Sequence, residues 1–215
     1  FIIITWATQD TLKCYRHRRG ILAISASTLF FLCLGVSVQQ VKHWQNSHTL
    51  FEHALSTTQG NYVAHTNLGI LWTGQGELEK ALFHYSEALR IKPGLIEARM
   101  NMGVALAEKG KLQEALRQYQ KVLKLKPDFA GAHYNLGNLL ASQGKTAEAV
   151  GHFRWALRTK PDDAAVHNNL AIMLAKAGKT EEAKSHFREA LRINPHHESA
   201  QKNLRTIQVQ RAEKM

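Results

Sequence analysis

Five asparagines stand at one interval of 34 residues: Asn67, Asn101, Asn135, Asn169 and Asn203. An amide side chain offers donors and an acceptor, the same groups as a peptide bond. A row of such amides can hold an extended polypeptide by its backbone without demanding a particular side-chain sequence. It can equally bridge neighbouring segments of its own chain. Asparagine is a weak helix former, so a run of them inside helices needs one of these reasons. Histidine gives a second set, twelve in all. His65, His133 and His167 form one series and His84, His152 and His186 another, each on the same 34-residue step. A metal such as zinc needs its ligands within about 2.0–2.1 Å. Members of one series lie a repeat or more apart, so no metal site is expected. The sequence contains no Ser–His–Asp arrangement, paired-carboxylate motif or phosphate loop, so neither a catalytic residue nor a cofactor is expected in this chain.

The interval also dictates the elements. All four prolines, Pro93, Pro127, Pro161 and Pro195, keep the step, as do Gly76, Gly110, Gly144 and Gly178, and Ala81, Ala115, Ala149 and Ala183. A fixed period of this size means a stacked array, whose usual work is binding along an extended surface. Counted from Tyr62, the units run 62–95, 96–129, 130–163 and 164–197. Each predicts two helices. The first closes near the glycine at position 15, which can turn left-handed. The second stops before the proline at position 32, which cannot continue a helix. Between these stops apolar residues recur at helical spacing, as in Leu112, Ala115, Leu116, Tyr119, Val122 and Leu123.

The pattern resembles the tetratricopeptide repeat. Unit one has Leu68, Gly69, Trp72, Ala81, Tyr85, Ala88 and Pro93. Unit two has Met102, Gly103, Leu106, Ala115, Tyr119, Val122 and Pro127. Unit three has Leu136, Gly137, Leu140, Ala149, Phe153, Ala156 and Pro161. Unit four has Leu170, Ala171, Leu174, Ala183, Phe187, Ala190 and Pro195. Small residues at positions 8, 20 and 27 would let two helices approach, with the aromatic at position 24 filling the space beside them. Residues 198–215 read as a capping helix and tail, with Ala200, Leu204 and Ile207 facing inward. The expected fold is an all-α solenoid.

The resemblance implies a concave groove lined by the first helices, with position 6 near its surface. The similar asparagine ladder in O-GlcNAc transferase implies that the amides hold a peptide backbone; local bridging between repeats is the other reading. Thr66, Ile70, Glu97, Met100, Tyr134, Asn138, Asn168 and Ile172 are the neighbouring groove candidates. Repeats that clamp a C-terminal carboxylate carry Lys or Arg at positions 2, 5 and 6. The four units have none there and only Lys202 occurs in the cap, which disfavours chaperone tails and favours an extended internal segment.

Residues 21–38 carry no charge, and 20–41 are expected to form a transmembrane helix near the lower length limit for a span. Phe1–Trp6 reads as the end of an earlier membrane helix, as in the C-terminal piece of a larger membrane protein. Residues 1–19 would supply that end plus a basic loop with Lys13, Arg16, Arg18 and Arg19. The positive-inside bias places the loop in the cytoplasm and the repeats across the membrane, in the periplasm if the source is bacterial. Residues 42–61 read as a half repeat, because Ser47, Phe51 and Ala54 fall at the small, aromatic and small positions. Trp44, Asn46, Ser47, Leu50 and Phe51, followed by Asn61, His65, Asn67, Leu68 and Gly69, resemble the junction in transmembrane-and-repeat proteins related to the TMTC O-mannosyltransferases. That resemblance implies an accessory role beside a membrane glycosyltransferase domain, presenting acceptor protein to an active site upstream.

Net charge is +11. Part of the excess is a ladder, Arg90, Lys124, Arg158 and Arg192, each expected in the last turn of a second helix where a cation meets the helix dipole. Contact with anionic lipid headgroups is the alternative reading. The basic residues are interleaved with acids and form no nucleic-acid motif, so no nucleic-acid partner is expected. The two cysteines, Cys14 and Cys33, form neither a disulfide framework nor a metal spacing.

Overall fold

The computed structural model describes residues 29–37 and 46–212, with side chains in the last helix to residue 209. The chain divides after Thr57 into two units. In the first, residues 29–37 are helical (α1), and Ser47–Thr57 form α2. Asn46 opens α2: its Oδ1 accepts from the Thr49 backbone N–H at 2.9 Å, and its carbonyl accepts from the Thr49 hydroxyl. In α1, Leu29, Phe30, Phe31, Leu32, Leu34 and Val36 are all exposed. No helix among the described residues is long and apolar enough to cross a membrane. The span expected over 20–41 lies outside the described residues except for 29–37, as do the basic loop and the apolar stretch before it.

The second unit is a succession of helical hairpins. Its helices are α3 (Tyr62–Gly74), α4 (Leu78–Ile91), α5 (Ile96–Glu108), α6 (Leu112–Leu125), α7 (Ala130–Ser142), α8 (Thr146–Thr159), α9 (Ala164–Lys176), α10 (Thr180–Ile193) and α11 (Glu198–Ala212). The turn inside each hairpin closes on glycine: Gly76, Gly110, Gly144 and Gly178 take φ of +75° to +79°. That conformation lets the next residue reach back, as in Lys111 N–H to the Leu106 carbonyl at 2.8 Å, satisfying a helix end. Each second helix ends two residues short of its proline.

The core repeats with the sequence. Ala81, Ala115, Ala149 and Ala183 are fully buried, and Tyr85, Tyr119, Phe153 and Phe187 lie beside them. In the first three units the aromatic ring lies on the glycine at position 8 of the first helix, Gly69, Gly103 or Gly137. A β-carbon on Gly137 would stand 2.6 Å from Phe153 Cε1, closer than atoms can pack. In these three units only a hydrogen leaves room for the ring where it sits. Each first helix touches the first helix of the next unit, from α3 through α11, whereas among the described residues successive second helices make no such contact. The first helices therefore form the inner row. Ala200 is buried, and Leu204 and Ile207 pack on the last core cluster, so α11 covers the exposed face of the fourth hairpin. Arg90, Lys124, Arg158 and Arg192 lie in the last turns of α4, α6, α8 and α10, where the helix dipole favours them.

Candidate functional site

The inner row carries the asparagine ladder, and its rungs are not equivalent. Asn67 donates to the Val63 carbonyl of its own helix at 2.9 Å. Asn169 donates to Asn138 Oδ1 at 2.9 Å and to the Tyr134 hydroxyl at 3.4 Å. Its own Oδ1 accepts from Asn168 at 3.1 Å, and Asn168 Oδ1 accepts from Asn203 at 3.4 Å. One chain of hydrogen bonds thus links α7, α9 and α11. Asn101 and Asn135 are half-buried and, among the described residues, make no side-chain hydrogen bond. These two consecutive rungs thus differ from their neighbours in having amides without a partner among the described residues.

The flanking candidates also divide. Thr66 is buried, with its hydroxyl donating to the Tyr62 carbonyl at 2.7 Å, and Asn168 is buried within the amide chain. Neither offers a surface to a ligand. Glu97 and Ile70 are exposed, while Met100, Tyr134, Asn138 and Ile172 are half-buried. Asn138, Ala141, Phe153, Asn169, Ile172 and Met173 line a depression of about 200 Å³ on the inner row. The site is thus a shallow, nearly uncharged surface in which free amides sit beside a pre-ordered amide network.

Sequence reasoning missed a second set of contacts, because it compared histidines between units and not within one. His133 Nδ1 lies 2.9 Å from His152 Nδ1, His167 Nδ1 lies 2.9 Å from His186 Nδ1, and His65 Nδ1 lies 3.1 Å from His84 Nδ1. These are positions 4 and 23 of units three, four and one. In unit two the same positions hold Arg99 and Gln118, joined at 3.2 Å. Position 4 has a further task. His133 Nε2 donates to the Pro127 carbonyl, and His167 Nε2 to the Pro161 carbonyl, both at 2.9 Å. Arg99 and Gln201 reach Pro93 and Pro195 in the same way. The visible signal was the pairing itself: wherever position 4 is histidine, position 23 is histidine too.

The pairs sit in partly dry surroundings. Burial lowers the pKa of His152, with His133 adding to the effect and Glu148 opposing it. Burial also lowers that of His186, reinforced by His167 and Arg154 and opposed by Glu182 and Glu189. For His65 burial again leads, opposed by Glu87 and reinforced by Arg90. No three metal-ligating side chains converge among the described residues.

Residues 105–144 match the family model described as TPR repeat, and residues 138–198 match that described as tetratricopeptide repeat. The chain carries tetratricopeptide repeats. Solved structures agree at the level of fold. MamA 41-end from Desulfovibrio magneticus RS-1 superposes with a TM-score of 0.65 at 24% identity, over 71% of this chain and 86% of that one. PilF of Pseudomonas aeruginosa superposes with a TM-score of 0.66 at 24% identity, over 71% and 69%. No curated protein matches the chain. Tetratricopeptide repeats are typically an interaction scaffold, and the chain is consistent with a protein-interaction module.

Proposed function

We propose that the repeats bind an extended polypeptide along the inner row, with Asn101 and Asn135 holding its backbone. The observation that carries this reading is the pair of adjacent, half-buried amides left without partners inside helices where asparagine is disfavoured. Packed helices stand roughly 8–10 Å apart. A polyproline-II segment advances about 9 Å every three residues, so one face of it matches successive rungs. Asn169, Asn168 and Asn203 have a different part. They bridge repeats and hold the groove wall beside Tyr134 and Asn138 in place.

Residues 20–41 anchor the array in this reading, with the repeats on the non-cytoplasmic side. The support is the uncharged stretch 21–38 and the basic loop before it. A second reading makes the array the acceptor-presenting part of a membrane glycosyltransferase, as the resemblance of Trp44, Asn46, Ser47, Leu50 and Phe51 to the TMTC junction implies. The two are compatible, since presenting an acceptor requires binding it.

The test is binding of the full chain to an unbiased array of 12-residue peptides, beside the variant Asn101→Ala with Asn135→Ala. Two lost amide contacts at about 1 kcal/mol each weaken capture by roughly 10- to 100-fold while helicity stays unchanged. Equal capture by both proteins refutes the assignment of these amides.

A further inference from the structure

We infer that the histidine pairs form a pH-sensitive lock that holds the two helices of a repeat together at neutral pH and loosens them in acid. The hydrogen bonds fix the protons. A carbonyl only accepts, so His133 Nε2 carries hydrogen toward Pro127 and, in the neutral ring, leaves Nδ1 as an acceptor. His152 Nδ1 must then be the donor. The same reasoning makes His167 the acceptor and His186 the donor in unit four. The geometry is that of a hydrogen bond and not of a vacated metal site. The ring centroids stand 5.2 Å apart and the nitrogens 2.9 Å, so the nitrogens lie near the line joining the rings and point at each other. Two ligands of one metal would instead point to a common third position.

Such a pair accepts one proton and resists the second. The first can settle on the outer ring, His152 or His186, with its Nδ1 still donating. The second puts hydrogen on both facing nitrogens and two like charges side by side, leaving no acceptor between them. The charged groups around the pairs do not abolish this. Glu87 and Arg90 on α4 face the first pair. Glu148 on α8, Lys124 on α6, and Trp155 with Arg158 over its ring surround the second. Glu182 and Glu189 on α10 and Arg154 on α8 face the third. Glu87, Glu182 and Glu189 are themselves held by Arg90, Arg154 and Arg192.

The unfolded chain has no such restriction and takes both protons as pH falls through about 6.5. The folded array therefore binds fewer protons than the unfolded chain below that pH, and its stability is full above it and declines as acid is added. Each excess proton multiplies the unfolding constant about tenfold per pH unit. The lock does not depend on what the groove binds.

Unit two supplies the control, since Arg99–Gln118 makes the same two contacts with no group that titrates near neutrality. The experiment compares urea unfolding of the full chain at pH 7.5 and 5.5 with that of the variant His133→Arg, His152→Gln, His167→Arg, His186→Gln. The parent's midpoint falls between the two pH values and the variant's falls by less than half as much. Equal falls, or no fall in the parent, overturn the lock. Nitrogen-15 spectra of the parent's imidazoles give an answer that needs no variant to fold. At pH 7.5, His133 and His167 carry hydrogen on Nε2 and His152 and His186 on Nδ1. The same tautomer in both members of a pair overturns it equally.

Discussion

A methyl group on Gly137 would collide with the ring of Phe153, yet unit four carries Ala171 at the same position, buried against Phe187. Unit four therefore seats its ring beside a methyl group, whereas unit three as packed has no room for one. Gly137→Ala improves helix propensity by up to about 1 kcal/mol. It also overpacks a closed space, which typically costs about 1–3 kcal/mol. With the ring pinned against α7, overpacking wins, and we expect a net loss of about 1–2 kcal/mol in urea unfolding. Adding Phe153→Leu frees the space, so the double change should be less damaging than the sum of the two single ones. At this scale the sequence was legible where a residue answers a local geometric demand, as with the glycines of positive φ and the buried alanines. The asparagines were legible only as a row. A 34-residue period places Asn135 and Asn169 alike, but their neighbours differ: Asn138 and Tyr134 lie in reach of Asn169, and nothing equivalent reaches Asn135. Thr66 and Asn168 went to the interior for the same reason, since position in the repeat fixes the face of the helix but not the depth of the neighbours around it.

Among the elements, the first helices start in two different ways. Asp163 caps α9 by accepting from the Ala165 and Val166 N–H groups at 3.2 and 3.3 Å, and Asn61 caps α3 through the Ala64 N–H at 2.9 Å. Leu95 and Phe129 stand at the same place before α5 and α7 and give no side-chain cap. Asp163→Ala should therefore cost about 1 kcal/mol and Asp163→Asn little, because either side-chain oxygen can accept. Hydrogen exchange at Ala165 and Val166 would report the loss directly. Speeding of exchange confined to the other helices would contradict it. Helix limits were readable because glycine and proline punctuate each unit with a physical stop. The link from position 4 back to the preceding proline carbonyl was not. It runs across a turn, between a side chain and a backbone atom six residues earlier, and donors of three chemical kinds make it: Arg99, His133 and His167, and Gln201.

Across the whole molecule, the repeats form a one-dimensional stack, so each unit is stabilised by its own hairpin and by its immediate neighbours. The consequence is sharpest at the end. On α11, Ala200 is fully buried and Leu204 and Ile207 are half-buried against the cluster that contains Leu170, Leu174, Ala183 and Phe187. A chain ending at residue 197 exposes that face of α9 and α10 to water. Burial of this size is worth roughly 2–4 kcal/mol, and in a stack the loss falls on the adjacent unit first. Amide exchange in α9 and α10 should quicken at least tenfold, while α3 and α4, three units away, should change little. The amide chain predicts one further effect of the same truncation. Removing Asn203 takes away the donor to Asn168 Oδ1, which loosens the Asn168–Asn169–Asn138 relay on the inner row. Peptide capture should then weaken even though Asn101 and Asn135 are untouched. Uniform quickening of exchange from α3 to α10 would show instead that the array opens as one cooperative block, and the nearest-neighbour account of its stability would have to be abandoned.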